Sequence, residues 1–358
     1  MIRVLELSGD PRNVGRQHGE QVADRRPLIE AALQRRLAAL RRLAVNWSPP
    51  LAELLRAWQR HAPATLETLR GMAEALHFSF DNYLLYTVGG YLVSRLRLGG
   101  RSDAGCTTWA ASGRVTADGA PLLAKNRDQA PDELALQCLA RVRPARGHPY
   151  LCLTSAGSPA VYSSGMNAVG LAIVDTHVPA TPVGPGITRF SLMMDLLETC
   201  ADVPAAIRHL PTVPHMGNGT LTLADAQGNL AVFEIAHLAQ AVIWPTGDFV
   251  VSTNHFTADV MRRLCGDDAP EYLPGSSERR HRQVTDALRA GGGQVDLRWG
   301  QKLMAQHGSA LGAICRHPEV DATSVTISAA IYLPRLGRLH VTHGNPCQTP
   351  FEAFQVIA

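Results

Sequence analysis

The chain has 358 residues, 46% hydrophobic and 18% charged, enough to bury a substantial core in one large domain or two ordinary ones. Its net charge of +3 is too small for a dedicated nucleic-acid binder, and no apolar run reaches transmembrane length. The seven cysteines (106, 138, 152, 200, 265, 315 and 347) are odd in number, widely spaced and free of any Cys-x-x-Cys, which argues against a disulfide framework and against a thiolate zinc site.

The first residues, Met1 to Glu6, lack the charged and then apolar pattern of a leader, so a reduced cytoplasmic protein with no membrane partner is the expectation. Residues 1–8 read as a short strand. Residues 11–38 read as a helix, with Gly15 and Gly19 four apart near its start, a spacing that permits close packing against another element. Leu51, Leu54, Leu55 and Trp58, then Leu66, Leu69, Met72 and Leu76, recur at helical spacing, and residues 51–61, 63–76 and 79–97 are read as helices. The arginine pairs at 25–26, 35–36 and 41–42 fit a solvated helix face. Residues 98–105 are rich in Gly and charge and read as an exposed linker.

From Cys106 the character becomes β. Trp109–Arg114 and Ala120–Lys125 flank Asp118-Gly119, a strong hairpin signal. Strands are expected at 135–143 and 150–155, with hairpins at 161–174 and at 220–235 around the Gln227-Gly228-Asn229 turn. Further strands are expected at 241–244 and 249–253. Residues 189–210 carry Leu192, Met193, Leu196, Leu197 and Cys200 at helical spacing. Helices fit 277–290 and 297–307, and strands close the chain at 323–333 and 337–343. This order suggests a sandwich of antiparallel sheets covered by helices.

The hairpin gives Cys106 its interest. The second strand ends in Asn126-Arg127-Asp128, and the far end of that strand returns beside the start of the first, so Asp128 is expected near Cys106. A cysteine in this position suits a chain N-terminus. If the Gly105–Cys106 bond were cut, Cys106 would carry an α-amine of pKa about 7.7, a base on the same residue as the thiol. Gly105 has no Cβ to obstruct attack on its carbonyl.

Four motifs then stand in order: Gly105-Cys106-Thr107-Thr108, Lys125-Asn126-Arg127-Asp128, Ser252-Thr253-Asn254-His255-Phe256, and Gly275-Ser276-Ser277-Glu278-Arg279-Arg280. Together they resemble the N-terminal-nucleophile (Ntn) family of acyl-coenzyme A:6-aminopenicillanic acid acyltransferases (isopenicillin-N acyltransferases), relatives of choloylglycine hydrolases and penicillin V acylases. The likeness runs from Leu5-Glu6-Leu7-Ser8-Gly9, with Gly15 and Gly19, to Gly344-Asn345-Pro346. It implies an α+β fold of four layers, an αββα sandwich, and a precursor that cuts itself between Gly105 and Cys106. The products would be a largely helical 1–105 chain and a 106–358 chain that stay associated as one unit, with room for a homodimer.

By the same resemblance Cys106 is the nucleophile, and Asp128 is the carboxylate that holds the cysteine amine and thiol. Asn254 is the amide donor to the oxyanion, and Arg280 an arginine beside the nucleophile. Thr108, Lys125 and His177 are candidates for the substrate pocket; Lys125 stands where bile-salt hydrolases carry an arginine. Where choloylglycine hydrolases place a second oxyanion asparagine, this chain has Asp175-Thr176-His177. The implied activity is amide hydrolysis through a Cys106 thioester, or acyl transfer if an amine or an acyl-coenzyme A partner replaces water. No cofactor or metal is called for. A non-catalytic binding protein on the same fold is the alternative class, and a thiol redox or metal protein lacks cysteines paired in sequence.

Overall fold

The computed structural model describes residues 1–95, 105–158, 163–180, 182–264, 275–308, 310–320 and 324–357. The linker expected at 98–105 lies outside them except for Gly105.

Two sheets carry the fold. The first has eight strands in the order β1 (Arg3–Gly9), β4 (Gln137–Pro144), β5 (Tyr150–Ser155), β6 (Ser164–Asn167), β7 (Ala172–His177), β8 (Gly219–Ala224), β9 (Leu230–Ile235) and β10 (Gln240–Ile243). The second has six: β11 (Phe249–Ser252), β2 (Cys106–Ala111), β3 (Leu122–Gln129), β12 (Val325–Leu333), β13 (Arg338–Val341) and β14 (Glu352–Gln355). All pairings are antiparallel except β1 with β4, which is parallel and corrects the all-antiparallel expectation. β1 belongs to the N-terminal segment, so that segment supplies an edge strand as well as helices.

Period-two alternation sorts the side chains into layers. In β2 and β3, Ala110 and Leu123 point inward, where they meet Leu139, Leu151, Met166 and Val174 of the other sheet. Trp109, Ala111, Leu122 and Ala124 point outward, onto Val284, Leu288, Leu303 and Met304. Those four residues belong to α9 (Ser276–Ala290) and α10 (Leu297–Met304). The outer face of the eight-stranded sheet is covered by α1 (Pro11–Gln21), α2 (Arg26–Arg42), α3 (Ser48–His61), α4 (Pro63–Ala75), α5 (Phe80–Arg95), α6 (Arg189–Thr199) and α7 (Val203–His209). Helix, sheet, sheet, helix is the expected αββα sandwich. A short α8 (Asp259–Arg262) packs beside β10.

Several boundaries differ from the sequence reading. The single helix expected over 11–38 is α1 and α2, separated by a tight turn at Ala23–Arg25, with Pro27 opening the second. The helix expected over 189–210 breaks at Cys200, and Asp202 caps α7 through a bond from the Ala205 N–H. The first hairpin is not closed by a two-residue turn. Residues 112–121 form a longer connection in which Gly119 takes a positive φ and Asp118 accepts from the Ala120 N–H. β14 was not foreseen. No helix of the described residues is long and apolar enough to cross a membrane.

Candidate active site

Register brings the site together. Cys106 opens β2 opposite Arg127, and the Gly105 carbonyl accepts from the Asp128 N–H at 3.0 Å, so Asp128 lies beside the cysteine as the hairpin predicts. On the other side β11 pairs Ser252 with Thr108, and two residues further on Asn254 stands level with Cys106. Asn254 Oδ1 accepts from the Cys106 backbone N–H at 3.0 Å. The nitrogen that cleavage would release is therefore held by a side chain, not by a neighbouring strand.

Arg280, in the first turns of α9, is buried and reaches the same point. Its Nη1 donates to the Cys106 carbonyl at 2.5 Å and to Thr107 Oγ1 at 2.9 Å, and its Nη2 donates to Asn254 Oδ1 at 2.8 Å. Asn254 Nδ2 donates to the His177 carbonyl at 2.8 Å, and the Asn254 N–H donates to Ser277 Oγ at 2.7 Å. In the continuous chain the asparagine amide is thus fully engaged, with its oxygen toward the cysteine nitrogen.

Asp128 is completely buried. Its Oδ1 accepts from Thr326 Oγ1 at 2.7 Å, and Arg316 Nε lies 3.5 Å from Oδ2. It makes no hydrogen bond to the Cys106 nitrogen, which Asn254 holds instead. Burial pushes the Asp128 carboxyl above its usual range against the pull of Arg316 and Arg280. Burial also raises the Cys106 thiol, opposed by Lys125. The thiol is therefore neutral in the continuous chain.

Gly105 has a steric reason to be glycine. A Cβ there would lie 2.5 Å from Arg316 Nη1 and 2.7 Å from Asp128 Oδ2. Arg316 itself carried no sequence signal, because it comes from a loop distant in sequence. Ser276 Oγ links the two arginines, accepting from Arg316 Nη2 at 3.1 Å and from Arg280 Nε at 3.4 Å.

Cys106 lines a cavity of about 590 Å³. Its apolar wall comes from Leu40, Leu43, Tyr91, Val93 and Phe190. Its polar side carries Lys125, Arg127, Asp175, His177, Arg189 and Asn218. Lys125 Nζ is 2.5 Å from Asp175 Oδ1 and donates to the Ser163 carbonyl at 3.1 Å, while Arg189 Nε donates to Asp175 Oδ2 at 3.1 Å. Burial opposes ionisation of Asp175, but the two cations outweigh it and hold the carboxyl below its usual range. His177 is pushed down to about 3 by burial and by Arg189, so its ring is neutral.

One sequence expectation changes. Thr108 is not on this cavity: its hydroxyl lies 2.9 Å from Thr222 Oγ1 across the two sheets and donates to the Ser252 carbonyl at 3.0 Å, which makes it an inter-sheet contact. Trp109, close in sequence to the cysteine, packs edge-on against Trp299 in the outer layer. Several cavity residues went unrecognised, Arg189 and Asn218 among them. Asn218 is buried at φ +73°, and among the described residues its Oδ1 has no hydrogen-bond partner. The run Gly217-Asn218-Gly219 was the available signal, since a Gly-Asn-Gly string suits positive φ.

A sequence model of acyl-coenzyme A:6-aminopenicillanic acid acyl-transferase matches residues 115–348, about two thirds of the chain. The chain belongs to this family. The matched span contains Asp128, Asn254 and Arg280 and begins just after Cys106. No curated protein sequence matches the chain. Among solved structures it is similar to conjugated bile acid hydrolase from Clostridium perfringens, with 14% identity, a TM-score of 0.48, and coverage of 70% of this chain and 96% of that one. It is also similar to penicillin V acylase from Agrobacterium tumefaciens, with 17% identity, TM-score 0.44, and coverage of 66% and 83%. The Caenorhabditis elegans ortholog of N-acylethanolamine-hydrolyzing acid amidase gives 15% identity, TM-score 0.46, and coverage of 64% and 94%.

Proposed function

We propose that the protein of this family cuts its own chain between Gly105 and Cys106, and that the freed Cys106 then takes the acyl group of an amide substrate as a thioester. The observation that carries this reading is the Cys106 backbone nitrogen. It is held by Asn254 Oδ1 and not by a strand, and the same residue lines the cavity. Breaking the peptide bond at that nitrogen leaves the hydrogen bond to Asn254 available to the amine that results.

In the first reaction Cys106 Sγ bonds to the Gly105 carbonyl carbon, the carbon–nitrogen bond breaks, and the thiol proton goes to the departing nitrogen. Water then cleaves the thioester, giving a Gly105 carboxylate, the thiol and the Cys106 amine. The Asp128 N–H, bonded to the Gly105 oxygen, is the donor available to the charge that builds there. The same cycle repeats on the substrate, with the α-amine as base for the thiol and as acid for the leaving amine. Arg280 and Arg316 supply the positive charge that keeps Asp128 usable as an anion.

The cavity volume is in the range of small-molecule sites. Its apolar wall favours an aliphatic or aromatic acyl group, and the Lys125–Asp175–Arg189 cluster faces the polar part of the substrate. Water is the acceptor we assign; the same thioester would transfer to an amine that reached the cavity first.

The test is intact-mass measurement followed by an acyl-amide panel with and without added amines. Wild type is expected as two associated chains, 1–105 and 106–358, that gain one acyl mass on Cys106 during turnover. Cys106→Ala is expected to remain a single chain without turnover. A wild type that stays full length after long incubation, or turnover that survives in Cys106→Ala, would overturn the proposal.

A further inference from the structure

Far in sequence from the nucleophile, four side chains with metal-ligand chemistry converge behind Asp128. They are His307, just beyond α10; Cys315 and His317, one residue apart from each other across Arg316; and Cys347, in the turn after β13. Their ligand atoms all lie within 4.8 Å of one another. Cys315 Sγ is 3.7 Å from Cys347 Sγ and 3.6 Å from His317 Nε2, and His317 Nε2 is 3.1 Å from Cys347 Sγ. The His307 and His317 rings meet edge-on at 4.8 Å between centroids.

The three separations among Cys315, His317 and Cys347 lie near the edges of a tetrahedron. With zinc–sulfur and zinc–nitrogen bonds of about 2.3 and about 2.0 Å, tetrahedral geometry puts two sulfurs about 3.8 Å apart and a sulfur and a nitrogen about 3.5 Å apart. A disulfide would need the two sulfurs at about 2.05 Å. Two thiolates and two imidazoles are the donor set of zinc, and four protein ligands leave no open position, which marks a structural site and not a catalytic one. An outer contact is also present: Asn345 Nδ2 donates to Cys315 Sγ at 3.6 Å and to the Arg316 carbonyl at 2.7 Å.

We propose that His307, Cys315, His317 and Cys347 bind one zinc ion, and that this ion fastens the Arg316 segment in place against Asp128. The residue between the two ligands is the one that reaches the active site. The Arg316 N–H donates to Thr326 Oγ1 at 2.8 Å, the Thr326 N–H donates to the Arg316 carbonyl at 3.1 Å, and the Thr326 hydroxyl donates to Asp128. An ion bonded on both sides of Arg316 removes the freedom of the loop that carries it. Cys347 and His307 are exposed, so the ion has a path in from solvent. The site stands independently of the self-cleavage reading, because its first readout is the metal.

The experiment is elemental analysis of the full chain, produced in zinc-supplied medium and purified without chelators or a histidine tag. About one zinc per chain is expected for wild type, falling to below about a tenth of that in Cys347→Ser and in His307→Ala. Both substitutions are at exposed positions, and far-UV circular dichroism would verify their folding. Asn345→Ala is expected to weaken zinc affinity about 10–100-fold. Exchange of zinc for Co²⁺ should give an intense thiolate-to-cobalt absorption and the strong visible bands of a tetrahedral site. Hydrogen exchange at the Arg316 and Thr326 amides should accelerate in Cys347→Ser. Zinc-supplied wild type without stoichiometric metal would overturn the site, as would folded variants that retain the metal. So would a wild type two hydrogens lighter with Cys315 and Cys347 joined. Unchanged exchange at Arg316 and Thr326 in metal-free protein would overturn the fastening role.

Discussion

Asn254 works at both ends of its amide, and this sets the expectation for removing it. Its oxygen holds the Cys106 nitrogen and one arm of Arg280, while its nitrogen holds the His177 carbonyl. Asn254→Ala therefore frees the Cys106 nitrogen and leaves the Arg280 guanidinium one acceptor short inside the protein. On the sequence resemblance alone, self-cleavage would suffer less than turnover, since the Gly105 carbonyl need not share the oxyanion donor. With the amide bonded directly to the Cys106 nitrogen, both reactions are expected to slow by about 10²–10³, the usual loss for a positioned polar group at a reacting centre. The checks are intact mass against time for cleavage and single-turnover acylation for the processed chain. Rates within a few-fold of wild type in both would show that Asn254 only ties β11 to its neighbours.

At the scale of elements, α1 packs backbone to backbone on α4, and glycines make this approach possible. A Cβ on Gly15 would lie 1.9 Å from the Thr68 carbonyl oxygen, and one on Gly71 would lie 2.0 Å from the Arg12 carbonyl oxygen. Both clashes are with backbone, which cannot rotate away. Gly15→Ala is expected to destabilise the protein by about 1–3 kcal/mol by forcing the helices apart, despite alanine's better helix propensity. A urea midpoint equal to wild type would mean that the helices separate without cost. The Gly15–Gly19 spacing made this packing legible in the sequence, and the alternation around Cys106 made the hairpin and the nearness of Asp128 legible too. Both are local patterns that act through short-range register. Arg316 and the His307–Cys315–His317–Cys347 cluster were not legible. Their partners come from loops brought together only when β12 and β13 dock beside β3, and spacing along the chain carries no trace of that. The absence of Cys-x-x-Cys left this cluster unseen for the same reason: the two sulfurs come from separate loops.

For the molecule as a whole, buried neutral histidines set its response to acid. His18, in α1, is nearly inaccessible, and its Nε2 accepts from the Gly157 N–H at 3.2 Å, so it joins the helical layer to the loop after β5. A proton on Nε2 would set two donors against each other. Burial accordingly pushes His18 down to about 4, from its ordinary 6.5. Between those two values the unfolded chain binds a proton that the folded chain refuses, so stability rises with pH across the window. His18 therefore contributes its full share above about pH 6.5 and loses it as the pH falls toward 4, up to roughly 3 kcal/mol in all. His18→Gln keeps an acceptor for Gly157 and removes the titration. The comparison belongs in a Cys106→Ala background, so that unfolding involves one chain. His177 and His255, pushed down to about 3 and about 4 chiefly by burial, are present on both sides and cancel. On moving from pH 7 to pH 4.5, the chain with His18 is expected to lose more stability in urea titrations than the His18→Gln chain. Equal losses would mean that the imidazole finds solvent or an acceptor on protonation, and that the junction between α1 and the loop after β5 opens at low pH without unfolding the rest.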